Sequence, residues 1–224
     1  MIFIDSALLV VNKPPGLLTL PDCYDPTAPH LRSILEPLYG RLWIVHRLDR
    51  ETSGIIVLAR SAAAHRALND QFASHSITKV YHALVVGEPS WDEKMLDLPL
   101  RANVGRRHRT QVDLRRGKPA TTHLQVLERL GGAFTLLQAI PQTGRTHQIR
   151  AHLAWEGIPI LGDSLYGEQG ESPFLPRLGL HAYSLTFRHP LNGEECRFEA
   201  SYPPDINATL HQLRVHCKKV KFHH

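Results

Sequence analysis

Two short apolar runs, Leu42–Val45 and Gly54–Ala59, are joined by His46-Arg47-Leu48-Asp49-Arg50-Glu51-Thr52-Ser53. Runs of this length, bounded by polar residues, read as buried strands rather than helices. Their connection must therefore deliver one carboxylate, Asp49, and its two flanking arginines to the edge of a core. A salt-bridged turn satisfies that pattern. So does a carboxylate kept ionised for chemistry, because a neighbouring cation favours the charged form. An aspartate held in that state is a poor general acid at neutral pH but is available as a nucleophile or base.

The remaining segments continue the pattern of short strands and few helices. The N-terminus has an acid where a secretion signal carries positive charge, so it is expected to be the first part of the fold and not a leader. A strand over Ala7–Asn12 stops at Lys13-Pro14-Pro15-Gly16. A helix is expected over Leu31–Tyr39, ended by Gly40, and a second after Ser61, which stands as its N-cap, through about Ser74. Ile77–Val86 alternates, with Tyr81, Ala83 and Val85 on one face. Thr110–Arg115 and Thr121–Leu130 flank Arg116-Gly117-Lys118-Pro119 and are expected to pair as a hairpin. Gly131-Gly132 leads into another strand, Ala133–Pro141, and a helix beginning near Thr146 carries His147, Ile149, Arg150 and Leu153. Leu180–His189 and Glu195–Tyr202 flank an Asn192-Gly193 hairpin turn, and Asp205 precedes a last helix carrying Ile206, Leu210, Leu213 and Cys217. The expected class is α+β, with a mixed, mainly antiparallel central sheet and flanking helices.

Several chemistries find no residues to support them. HExxH, paired CxxC, an EF-hand loop, GxxxxGK[ST] and GxSxG are all missing, and no GxGxxG follows the first strand. The expectation is an enzyme without metal or organic cofactor, working through carboxylate, tyrosine and arginine. Cys23, Cys196 and Cys217 have no ligand spacing and are expected as thiols in a reducing cytoplasm. No apolar run approaches the roughly 18–20 residues that span a bilayer. The net charge of +5 favours an anionic partner. Its distribution is more informative: Arg101, Arg106, Arg107, Arg109, Arg115, Arg116 and Lys118 are opposed only by Asp113, and the C-terminus adds a second basic stretch.

The motifs taken together resemble one family. His46-Arg47-Leu48-Asp49 followed by Thr52-Ser53-Gly54 is similar to the signature of the RluA-type RNA pseudouridine synthases. Val10 to Gly16, Lys79-Val80-Tyr81-His82-Ala83, Gly117 to Ala120, Thr143 to Arg150 and Pro159 to Asp163 resemble its other blocks, in order. The resemblance implies the pseudouridine synthase fold with a catalytic cleft, in one catalytic domain over residues 1–224 with no separate N-terminal RNA-binding domain. It implies the conversion of uridine in RNA to pseudouridine: the N-glycosidic bond breaks, the bound base turns, and C5 joins C1′. Nothing is oxidised or hydrolysed.

The resemblance also implies site residues. Asp49 is the catalytic carboxylate, Tyr81 the active-site tyrosine, and Arg150 the arginine paired with the aspartate. Arg47 is the candidate to fill the space that the extracted base leaves. Arg106, Arg107, Arg109 and Lys118 are expected to contact phosphates. The compact branch of the family implies ribosomal RNA, transfer RNA or both as substrate, for a cytoplasmic monomer with no obligate protein partner. A chaperone of the same fold that binds RNA without catalysis is the alternative. A glycosidase needs a second acid opposite the first, and only Asp163, after one matched block, offers itself.

Overall fold

The computed structural model describes residues 1–22, 24–167 and 172–221, with side chains described as far as Val215 in the last helix. In chain order the elements are β1 (Phe3–Ile4), β2 (Leu8–Lys13), α1 (Leu31–Tyr39), β3 (Trp43–Ile44), β4 (Ser53–Ala59), α2 (Ala62–Ala73), β5 (Thr78–Val86), β6 (Glu93–Asp97), β7 (Leu100–Val104), β8 (Arg109–Val112), β9 (Thr121–Leu130), β10 (Phe134–Pro141), α3 (Gln148–Trp155), β11 (Leu180–Arg188), β12 (Glu195–Glu199) and α4 (Pro204–Lys221). The chain divides into two compact units, one of Met1–Lys79 with His181–Ser201, the other of Val80–Leu180 with Tyr202–His224. The class is α+β, as expected, with pairing that is mostly antiparallel.

In the first unit β4 is the centre. It is buried along its whole length, which explains an apolar run without alternation. β2 lies antiparallel to it, with Lys13 opposite Gly54, and β11 lies parallel to it, with Ala182 opposite Gly54. β1 and β12 extend the pairing outward, and β3 pairs with β4 as well. Gly54 is required where it stands. Its φ is +117°, and a Cβ there would meet the Ala182 carbonyl oxygen at 2.2 Å. α1 opens on a capping box in which the Ser33 amide donates to His30 Nδ1 and the His30 amide donates to Ser33 Oγ. Ser61 caps α2 as expected, accepting from the Ala64 amide at 3.1 Å.

In the second unit the strand order is β5-β10-β9-β6, antiparallel throughout, with Tyr81 opposite Ala139. The two faces of this sheet are covered differently. Ala83, Val85, Leu137 and Ala139 pack with Ile149 and Leu153 of α3, and half-buried Tyr81 lies against the same cluster. Leu84 and Leu136 pack instead with Ile206, Leu210 and Leu213 of α4, each contributing about 1.5–3 kcal/mol by leaving water. The alternation expected in β5 therefore separates two cores.

One pairing differs from the expectation. Thr110–Arg115 and Thr121–Leu130 do not form a hairpin across residues 116–119. β8 pairs with β7, and β9 pairs with β6 and β10. The cause is Asp113, whose Oδ1 accepts from the amides of Arg115 and Arg116 while its carbonyl accepts from Gly117. That turn leads Lys118 into an isolated bridge with Leu100, and Gly117 lies so close to Pro99 that a Cβ would sit 2.6 Å from its carbonyl carbon. β6 and β7, which break the alternation rule with exposed residues, were not visible as strands.

Cys196 is a half-buried free thiol, while Cys23 and the side chain of Cys217 lie outside the described residues, as does the basic C-terminal stretch. Among the described residues no helix is long and apolar enough to cross a membrane.

Candidate active site

In the first unit the residues from His46 to Thr52 have no ladder hydrogen bonds of their own, and buried groups tie them down individually. His46 stacks on Phe72 of α2 with ring centroids 4.7 Å apart, and its Nε2 accepts from the Val57 amide at 3.1 Å. That nitrogen is therefore unprotonated. Burial, with the nearby Lys79 ammonium adding to it, pushes the His46 pKa down to about 3. The Leu48 side chain is buried, and its amide and carbonyl both bond the hydroxyl of buried Thr19, at 3.2 and 3.0 Å. The Asp49 carbonyl accepts from the Thr52 amide, closing a turn around Arg50 and Glu51.

Lys13 completes the arrangement. It is fully buried, and its Nζ donates to the carbonyls of Pro14, Leu17 and Arg50 at 2.8–3.0 Å. The Arg50 carbonyl also accepts from the Gly16 amide, and Arg50 Nε donates back to the Gly16 carbonyl. The Lys-Pro-Pro-Gly stretch and the Asp49 turn are thus one built object. Arg50 serves that structure. Arg47 is exposed and makes no hydrogen bond or ion pair with the described residues. Asp49 itself is half-buried.

The Thr52-Ser53-Gly54 part has its own role. The Ala200 carbonyl accepts from the Nε2–H of His181, so His181 Nδ1 accepts from the Ser53 hydroxyl at 2.9 Å. Both side chains are sealed from solvent, which makes this pair structural rather than a nucleophile and its base.

In the second unit Arg150 of α3 forks onto Asp163, with Nε and Nη2 each 2.8 Å from a carboxylate oxygen. The Asp163 side chain is fully buried and that of Arg150 is 11% exposed. Asp163 Oδ1 also accepts from the amides of Leu165 and Tyr166, and the Tyr166 ring lies 5.1 Å from the Arg150 guanidinium carbon. This fork uses the Nε–Nη2 edge of the guanidinium. Asp163, which the residue pattern offered only as a second acid for glycosidase chemistry, is the group that orients Arg150.

The approach to α3 is equally determined. Gln148 is buried with its amide satisfied four times: Oε1 accepts from Thr143 Oγ1 and the Arg145 amide, and Nε2 donates to the Thr121 carbonyl and Thr122 Oγ1. His147 adopts a left-handed conformation, φ 52°, and its Nδ1 bonds the Tyr166 hydroxyl. That hydroxyl also accepts from the Thr110 amide, tying the β7–β8 ribbon to this site, and burial pushes its pKa up.

The expected phosphate contacts separate on inspection. Arg106 and Arg107 are exposed near the ribbon tip, and Lys118 is exposed beside the ribbon base. Arg109 is half-buried over the Tyr166 ring, and its Nε is buried with no partner. Lys13, Thr19, Gln148 and Tyr166 were not singled out from the residue pattern. Only Lys13 left a signal, as a charge at the end of an apolar strand and directly before Pro-Pro-Gly. Among the described residues no group of His, Cys, Asp or Glu side chains is placed to hold a metal ion.

A sheet flanked by helices, an aspartate on a pinned turn and an arginine clamped by a buried acid are what the motif pattern leads to, and the sequence-family model for RNA pseudouridylate synthases matches residues 7–155. The chain belongs to the RNA pseudouridine synthase family. It is 40% identical to the dual-specificity RNA pseudouridine synthase RluA of Haemophilus influenzae, over 89% of this chain and 91% of that protein. It is 38% identical to the ribosomal large subunit pseudouridine synthase D of Zymomonas mobilis, over 96% of this chain and 73% of that protein. Among solved structures, human RNA pseudouridylate synthase domain containing 1 superposes with a TM-score of 0.78 at 28% identity, covering 97% of this chain and 93% of that one.

Proposed function

We propose that the chain isomerises specific uridines of ribosomal RNA, transfer RNA or both, with Asp49 as the catalytic carboxylate. The observation that carries the role of Asp49 is the turn beneath it. Lys13, Thr19 and His46, from three different segments, hold backbone on both sides of a half-buried carboxylate. A charge placed that firmly is preorganised for a reacting centre. The name of one relative supplies the ribosomal large subunit, and the motif resemblance supplies transfer RNA.

In this reading Arg47 enters the RNA stack as the target base leaves it, at a cost of a few kcal/mol that the rest of the binding face offsets. Tyr81 stacks its ring on the uracil, and its hydroxyl takes part in removing the C5 proton after C5 has joined C1′. Arg150, its Nε–Nη2 edge held by Asp163, is the arginine of the catalytic set. Arg106, Arg107, Arg109 and Lys118 contact phosphates. In the same reading residues 1–224 act as one catalytic domain, a cytoplasmic monomer that needs no partner but RNA.

Release of tritium from C5-labelled uridine in cellular RNA tests the reading. Wild-type protein is expected to release it, and Asp49→Asn to fall below about a thousandth of that rate while still binding RNA. Equal release by both proteins would remove Asp49 from the chemistry. No release from any RNA would favour an RNA chaperone.

A further inference from the structure

In the second unit a cleft of about 410 Å³ opens at the base of the β7–β8 ribbon, and its walls include Arg101, Thr110, Arg116, Lys118, Gly144 and Arg145. No acid is among the residues that line it. Arg101 is partly offset by Asp113, whose Oδ2 lies 3.5 Å from its Nη1. The other three cations are not. Arg116 and Lys118 are exposed and make no side-chain hydrogen bond or ion pair with the described residues. Arg145 donates from Nε to the Pro119 carbonyl at 3.0 Å, which fixes the plane of the guanidinium and leaves its Nη groups without a partner among the described residues.

The backbone that carries these side chains is fixed. The Leu100–Lys118 bridge, with hydrogen bonds of 2.8 and 2.9 Å in both directions, fixes Lys118 against the ribbon. The Asp113 turn fixes the Arg116 backbone. Thr110 lines the same wall and is 1% exposed. Three unopposed cations around one concavity repel one another unless an anion lies among them.

We propose that this cleft is a phosphate site that takes a phosphodiester of the bound RNA strand, held by Arg116, Lys118 and Arg145. It rests on the reading of the chain as an RNA enzyme and adds to it the place where the strand is gripped. Base identity plays no part, so the grip positions the RNA without reading its sequence. The assignment also shifts weight from the ribbon tip, Arg106 and Arg107, to its base.

Binding of bulk transfer RNA over a range of KCl concentrations tests it. The Asp49→Asn protein serves as background, so that turnover does not enter the readout. Changing Arg116→Gln and Lys118→Gln together is expected to raise Kd about tenfold and to make the log Kd against log salt slope shallower by about 1–2. Arg145→Gln moves both in the same direction. Arg32→Gln, which removes an exposed cation of α1, leaves both unchanged. Unchanged affinity and slope in the Arg116/Lys118 variant would overturn the site. Inorganic phosphate that binds wild type but not this variant, with transfer RNA affinity equal in the two, would make it a free-anion site and also overturn the proposal. If the double variant melts early, Arg116→Gln alone carries the measurement, because that side chain contacts nothing the fold needs. Should wild-type protein release no tritium while RNA affinity still follows these residues, the reaction assignment fails and the grip stands.

Discussion

The turn that carries Asp49 and the basic ribbon of residues 100–118 are both irregular, arginine-rich connections, yet they are built in opposite ways. At the turn, charge is bound inward: a fully buried ammonium, Lys13, serves three carbonyls, and Arg50 folds back onto Gly16. At the ribbon, charge faces outward, with Arg106, Arg107, Arg116 and Lys118 exposed and unpaired among the described residues. In the proposed reading the difference follows from what each segment has to meet. A reacting carboxylate must be held to fractions of an ångström, so its backbone is over-determined. A phosphate grip needs charge and reach, and it tolerates side chains that order only when the anion arrives. Substitutions in the turn should therefore act on stability and rate, and substitutions in the ribbon on affinity and salt dependence.

The largest expected effect is at Lys13. Lys13→Met keeps the length and removes the donor from three carbonyls, and should cost about 3–4 kcal/mol in urea denaturation together with most of the tritium release. A loss below about 1 kcal/mol would mean that the turn holds itself. Thr19→Val is the milder version. It strands the Leu48 amide and carbonyl in the core, and a loss of about 2 kcal/mol is expected, with the rate falling more than the RNA affinity.

His46 gives the turn a pH dependence. Its pKa falls from 6.5 in the unfolded chain to about 3 in the fold, so the unfolded chain binds more protons between those values. Stability from this group is complete above pH 6.5 and is lost as the pH falls toward 3, at up to about 1.4 kcal/mol per pH unit. His46→Gln, which keeps an acceptor for the Val57 amide, should flatten that part of the profile. An unchanged slope between pH 6 and 4.5, read by urea titration at a series of buffers, would place the acid sensitivity elsewhere. The smallest effect on stability belongs to the ribbon. Arg106→Ala with Arg107→Ala should stay within about 0.5 kcal/mol of wild type while weakening RNA binding and reducing its salt slope. A stability loss comparable to that of Thr19→Val would show that the two regions are not built differently after all.

Periodicity was a good guide where one face of an element meets one core. The alternation of Tyr81, Ala83 and Val85 against Leu84 found both cores of the second unit, and Ile206, Leu210 and Leu213 marked the buried stripe of α4. It failed where side-chain polar groups direct the backbone. The Asp113 turn replaced the hairpin expected across residues 116–119, because its carboxylate and carbonyl capture amides that a hairpin would have left to the neighbouring strand. Strands β6 and β7 carry too few apolar residues to show an alternation at all.

The residues and their order were enough to place the chain among RNA pseudouridine synthases, to nominate Asp49, Tyr81 and Arg150, and to mark the cation-rich segment, because those properties lie in local chemistry and spacing. What local chemistry does not contain is the identity of a partner distant in the chain. That Lys13 lies under the Asp49 turn, that Asp163 clamps Arg150, and that Arg145 joins Arg116 and Lys118 on one cleft depend on strand pairing and burial. The Asp49 turn, which read at first as either an ion pair or a reacting group, is held by a lysine 36 residues earlier together with Arg50, whose side chain folds back onto Gly16.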